Sequence, residues 1–313
     1  MVAYMARRAL SALLVIWAAA SLAFAALRVI PGDAIDAQLA QAGASAAEIA
    51  ARRAALGLDA PPLEQYLAYI SGLVRGDLGV SLLNRQPVAQ AIAQQFPATA
   101  ALALAALLVA LAVGLGLGFA GAAARATWAR RLSTGAATLA LAMPVYWTGT
   151  LAIWVFSVQL GWLPATGAGD LRHLILPAAV LGFNVAGSIA RVTQAGLIEA
   201  REQAFVQYAR AKGLRERQVW RRHILRVGLL PIIAVVALQT GFLLGGAVIT
   251  ETLFARGGLG GLLLRAILDR DLPVVQGVVV VAALIYSAVN MLADVLSAAA
   301  DPRVRLAEMP EAA

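Results

Sequence analysis

Arg85 and Arg125 bracket a stretch, residues 86–124, that holds no charged side chain. An ionised group at mid-bilayer costs on the order of 3 kcal/mol, and a helix needs roughly 20 apolar residues to cross the hydrocarbon. A long charge-free run closed by arginine at both ends is therefore the pattern of a membrane span. The pattern repeats. Apolar runs cover residues 9–27 between Arg8 and Arg28, then 98–124, 135–160, 174–190, 227–250 and 272–293, the last ending near Asp294. Six transmembrane helices are expected, in an all-α integral membrane fold. Composition agrees. Hydrophobic residues make up 61 % and charged residues 13 % of 313, where soluble chains run near 25 % charged. The absence of Cys removes disulfides, thiolate metal sites and cysteine nucleophiles. With His173 and His223 the only histidines, a His-rich metal site is excluded too.

Arginine and lysine collect on the cytoplasmic side of spanning helices. With the N-terminus inside, segments 1–8, 122–134, 191–226 and 301–313 hold sixteen of the 25 basic residues. The short outer segments 161–173 and 251–271 hold four. The expected orientation is N-in and C-in. Three parts follow: residues 1–97, a first helix plus a periplasmic insert; 98–300, the core with the cytoplasmic loop 191–226; and 301–313, a cytoplasmic tail. Arg7, Arg8 and Ala23-Phe24-Ala25 also fit a signal peptide. The run 9–27 is longer than the usual h-region of about 7–15 residues, so a retained helix is expected.

In the insert, residues 45–56 read as a helix with Gly57 as its C-cap. Pro61-Pro62 breaks the chain, and residues 63–74 read as a second amphipathic helix with Tyr66, Tyr69 and Ile70 as interfacial anchors. Gly114 and Gly118 form a G-x-x-x-G, which allows close helix approach. Pro144 is expected to kink or break the third span. Asn184, Gln239 and Asn290 are the deepest polar residues in spans; interhelical hydrogen bonding is the ordinary role, and lining a polar path is the alternative.

Segment 191–226 carries nine basic residues together with Glu199, Glu202 and Glu216. Residues 201–212 read as a helix with Phe205, Tyr208 and Ala209 on one face. Gly213 punctuates it, and residues 214–226 read as a second amphipathic stretch through Trp220, Ile224 and Val227. A basic helix pair on anionic lipid, a plain positive-inside loop, and a helix docked in a partner's groove all fit this pattern.

The run Gln207-Tyr208-Ala209-Arg210-Ala211-Lys212-Gly213, followed after nine residues by His223-Ile224-Leu225-Arg226, resembles the EAA loop of binding-protein-dependent ABC importer permeases, E-A-A-x-x-x-G-x9-I-x-L-P. Ala209, Gly213 and Leu225 match; Gln207, Tyr208, His223 and Arg226 depart as in the peptide/nickel branch. Further fragments resemble that branch in order along about 280 residues. Among them are Arg28-Val29-Ile30-Pro31-Gly32-Asp33, Arg75-Gly76-Asp77-Leu78-Gly79, Gly161-Trp162-Leu163-Pro164, Asp271-Leu272-Pro273 and Asp301-Pro302-Arg303.

The resemblance implies a type I importer (MetI-like) permease fold and a chain that is a transport subunit, not an enzyme. It implies pairing with a second permease subunit, two ATPase subunits and a periplasmic binding protein that delivers peptides, nickel chelates or related small solutes in the inner membrane. Phe205, Tyr208, Ala209, Arg210, Lys212, Gly213, Leu214, His223 and Leu225 would form the ATPase-coupling site. No cofactor is expected in this chain. It lacks a G-x-x-x-x-G-K-[ST] phosphate loop, so ATP and Mg would be bound by the partner ATPase. Contact with membrane lipid, and none with nucleic acid, is expected. An ion-coupled secondary transporter is the competing reading; such carriers place ionisable groups deep in their spans. An intramembrane hydrolase finds no H-E-x-x-H or Ser/His pair in the spans.

Overall fold

The computed structural model describes residues 2–29, 45–55, 59–124 and 126–300. Gly57 and the tail 301–313 lie outside them. The described elements are helical, apart from one isolated bridge between Val80 and Pro87. In chain order they are α1 (Val2–Val29), α2 (Ala46–Ala55), α3 (Pro62–Val74), α4 (Val88–Ala123), α5 (Thr127–Ala142) and α6 (Val145–Ala152, continued by a π-helix Ile153–Gln159). Then come α7 (Arg172–Glu202), α8 (Ala204–Ala211) and α9, which runs as Glu216–Val219, a π-helical turn Trp220–Ile224 and Leu225–Gly228. The chain continues with α10 (Leu230–Leu253), α11 (Leu259–Leu268) and α12 (Leu272–Ala300).

Five helices, α1, α4, α7, α10 and α12, are long and apolar enough to cross a bilayer. The remaining expected span, the third, is a broken one: α5 and α6 meet at a bend of 104°. The cause is Pro144. It has no N–H to donate, which strands the Ala140 carbonyl one turn back. The Asn184 amide on α7 takes over, donating to Ala140 O at 3.2 Å and to Met143 O at 2.9 Å.

The chain divides into two compact units. Among the described residues the first comprises Thr99–Arg256 with 288–300 and 2–5, and α7 runs through its middle. α4 packs along α7 at a seam of small residues. A side chain at Gly182 would meet Ala106 O at 2.5 Å, one at Gly114 would meet Ile189 at 2.8 Å, and one at Gly118 would meet Thr193 at 2.5 Å. The G-x-x-x-G is thus a packing device. Leu102, Ala106, Ala110, Leu181, Val185, Ile189, Leu243 and Ala247 fill the core beside it.

The second unit comprises Ala6–Ala98 and Gly257–Ser287. Val88, Ile92, Leu259, Ala266, Val274, Val275 and Val278 form its core. Tyr66 and Tyr69 pack on α1: the Tyr66 hydroxyl shares a 2.7 Å hydrogen bond with Ser21, and the Tyr69 ring stacks on Phe24 at 5.7 Å. Burial pushes the Tyr69 phenol up to about 12. Ser45 and Glu48 cap α2 reciprocally, a capping box.

Candidate functional site

The cytoplasmic element begins later than its charge pattern predicts. No proline stands between Arg191 and Glu202, so α7 continues past the end of its apolar stretch for about 16 Å. It ends where Gln203 turns extended, at φ −64° and ψ 144°. The element proper is α8, a turn at Gly213 and α9. Gly213 takes φ +78°, a left-handed conformation that costs most residues about 1–2 kcal/mol. Its N–H donates to Arg210 O at 2.9 Å and closes α8.

The element has its own apolar core. Val206 and Ala209 of α8 and Val219 and Ile224 of α9 pack with Leu197 and Ala200 of α7 and Ala122 of α4. Leu225 and Trp220 lie half-buried against this cluster, and Trp220 meets the Phe119 ring edge-on at 5.3 Å. At the base, α7 and α9 cross backbone to backbone. A Cβ on Gly196 would lie 2.5 Å from Gly228 O, and one on Gly228 would lie 2.9 Å from Gly196 O.

This packing divides the expected site residues. Ala209 points inward with Val206, while Phe205 and Tyr208 point outward, 40 % and 63 % exposed. The expected Phe205/Tyr208/Ala209 face is therefore two faces. The i, i+3, i+4 spacing was right for a helix, but the buried side runs through Val206 and Ala209. Lys212 places its ammonium 4.6 Å from the Tyr208 ring centre, a cation–π contact. Arg210 donates from Nε to Glu216 at 2.7 Å across the turn, and Leu214 stands exposed at its tip. His223 lies on the same outer side, its ring 6.3 Å from that of Phe205. The outward surface is thus two aromatic rings and a leucine among cations, on a rigid base.

The polar residues expected in the spans stand on three different helices. Asn184 is committed to the α5–α6 break. Gln239 is buried on α10, and Asn290 is half-buried on α12. Sequence reasoning missed Glu251. It stands one residue past the expected end of the fifth span, where an acid reads as solvent-facing. The structure buries it completely, with Thr99 donating to it at 2.5 Å. Asp271 was read only as part of a family fragment; it too is buried, accepting from Ser81 Oγ and from the Leu82 N–H at 3.1 Å. The signal that could have found both is an acid beside the end of an apolar helix with no basic neighbour one turn away. In the outer loop, His173 bonds Asp170 at 2.9 Å and holds that carboxyl below its usual range.

The broken span and the helix–glycine–helix element lie in one unit of a helical membrane chain, and the comparisons with known proteins give its class. Residues 112–306 match the family of binding-protein-dependent transport system inner membrane components, and residues 1–103 match the N-terminal family of the same components. The chain belongs to this family: it is a permease subunit of an ABC importer in the inner membrane. A relative described as the glutathione transport system permease protein GsiC of Escherichia coli O6:H1 is 38 % identical over 305 residues, covering 97 % of this chain and 99 % of the relative. The same protein from Escherichia coli K12 is 37 % identical over the same coverage. In fold, the chain is similar to the inward-facing MetNI methionine ABC transporter, with a TM-score of 0.58 at 18 % identity over 67 % of this chain and 95 % of that one. The ion-coupled carrier reading finds no support in these matches. The family works with an ATPase and a substrate-binding protein.

Proposed function

We propose that this subunit forms half of a translocation path for small peptides or peptide-like solutes, and that α8, the Gly213 turn and α9 are its ATPase-coupling site. The relatives' glutathione designation supports the peptide class over nickel chelates. A second, different permease subunit completes the path, a periplasmic binding protein delivers the solute, and two ATPase subunits supply all nucleotide chemistry. Phe205, Tyr208, Leu214, Arg210, Lys212 and His223 meet the ATPase. Ala209, Leu225 and Gly213 hold the shape that presents them. ATP-driven closure of the ATPase pair moves this base, and with it α7, as one body, a rigid-body switch biased by ligand.

The observation that carries the reading is the outward aromatic pair on a packed base. It also selects the test. Ala209→Asp would put a carboxylate into the apolar cluster and damage the element itself. Phe205→Ala with Tyr208→Ala removes only exposed rings. ATPase co-purification and ATP-driven peptide uptake in proteoliposomes are expected to fall at least 30-fold, with the melting temperature of the permease unchanged. Full ATPase binding and uptake by that double variant would overturn the coupling assignment.

A further inference from the structure

The cytoplasmic half of α5 carries a feature that coupling and translocation leave unused. An open groove of about 670 Å³ begins there and runs on to the end of α5 at Ala142, lined on that one helix by Thr127, Arg130, Arg131, Thr134, Gly135 and Thr138. Arg130 and Arg131 stand at its polar end, exposed, and neither has an ion-pair partner among the described residues. Trp128 beside them is 71 % exposed, the placement of an interfacial anchor. Further along the same face lies Gly135, exposed, where a Cβ would meet no heavy atom within 4 Å. Two guanidinium groups above threonine hydroxyls and a bare glycine match a phosphate headgroup with an acyl chain beneath it. Guanidinium recognises phosphate through paired N–H donors, and basic pockets at the cytoplasmic ends of spans take anionic headgroups.

We infer that this groove seats an anionic phospholipid of the cytoplasmic leaflet. The inference rests on the orientation that places residues 122–134 inside. The site also touches the coupling machinery. Thr134 Oγ1 lies 3.2 Å from Gln194 Oε1 on the extended end of α7, and Ser133 donates to Leu117 O on α4 at 2.5 Å. A seated lipid therefore braces the helices on which the cytoplasmic element stands, and its presence is expected to raise substrate-stimulated ATPase activity.

The test uses the complete transporter in nanodiscs of phosphatidylcholine alone or with phosphatidylglycerol, with retained lipid counted by native mass spectrometry. The wild type is expected to retain phosphatidylglycerol over phosphatidylcholine and to hydrolyse ATP several-fold faster in the anionic discs. R130Q/R131Q is expected to weaken retention about 30-fold, at about 1 kcal/mol per arginine. Gly135→Leu fills the groove without altering charge, in a position with room for the side chain, and is expected to lose the lipid and the anionic stimulation together. R7Q, which removes an exposed inner charge that does not line the groove, is expected to change neither. Equal retention of both lipids, or retention unchanged by R130Q/R131Q and Gly135→Leu, overturns the proposal. So does efficient cross-linking, under an added thiol oxidant, of Thr134→Cys to a cysteine introduced in the second permease subunit, which would show a protein occupant in the groove. Loss of ATPase co-purification in these variants would instead point to damage at the coupling element, a separate failure.

Discussion

The turn between α11 and α12 and the turn between α8 and α9 are both tight, and they are held by opposite means. At the first, a buried carboxylate does the holding. Asp271 accepts from Ser81 and from the Leu82 N–H, while Ser81 N–H bonds Gln86 O at 2.9 Å, so segment 81–86 is pinned in one register. At the second, apolar packing does the holding: Val206, Ala209, Val219 and Ile224 pack on α7, and Gly196 meets Gly228. Its ion pair, Arg210–Glu216, is on the surface. Directional bonds fix a geometry at one point. Non-directional apolar packing makes a block that is solid inside and leaves its outer face for another protein. The difference fits an anchored turn in one unit and, on the proposed coupling role, a rigid lever in the other.

The largest effect is expected at the polar clamp. Asp271→Ala leaves the buried Ser81 hydroxyl and the half-buried Leu82 N–H without their acceptor; a buried donor left unpaired costs about 1–3 kcal/mol. The detergent-solubilised protein is expected to melt markedly lower, with Asp271→Asn intermediate. An unchanged melting temperature would show that packing, not the carboxylate, holds that turn. Next comes the helix crossing. Gly196→Val drives methyl groups into the Gly228 carbonyl, and overpacking of this kind costs about 1–3 kcal/mol. ATP-driven uptake is expected to be lost while the subunit still reaches the membrane. Normal uptake by Gly196→Val would break the rigid-lever side of the comparison. Smaller again is Gly213→Ala, about 1–2 kcal/mol for a side chain at φ +78°, read as a partial loss of uptake. Gly213→Pro, which cannot reach that φ and loses the N–H bonded to Arg210, is expected to abolish it.

The spans were legible because the membrane charges so steeply for ionised groups; each charge-free run has its helix. Helix ends were legible only where a breaker stands. Pro144 announced the bend, though the 104° and the Asn184 repair depend on a residue 40 positions away. The end of α7 was misplaced because charge marks where a helix leaves the bilayer, and nothing in Thr193-Gln194-Ala195-Gly196-Leu197 stops it there. In the coupling element the turn glycine and the two helices were readable from spacing. Which side faces inward was not, since Val206 and Phe205 are equally apolar and only the partners in Leu197 and Ile224 decide between them. Glu251 was hidden for the same reason: its burial is a property of Thr99, far off in sequence.

The smallest expected effect is the most discriminating. Arg210–Glu216 is short, at 2.7 Å, but both side chains are partly solvent-exposed, and exposed pairs contribute under about 1 kcal/mol. If the element is held by its apolar core, Arg210→Gln should leave the melting temperature within about a degree or two of wild type. Arg210 also stands on the outward surface beside Tyr208 and Lys212, so the same substitution should weaken ATPase association several-fold and do so more at low salt than at high, where screening has already removed much of the attraction. A large fall in melting temperature would mean that the cytoplasmic turn, like the one at Asp271, is clamped by charge, and the contrast between the two turns would collapse. A salt-dependent loss of ATPase affinity at constant stability would instead separate the two jobs: cohesion from the packed core, recognition from the exposed rim.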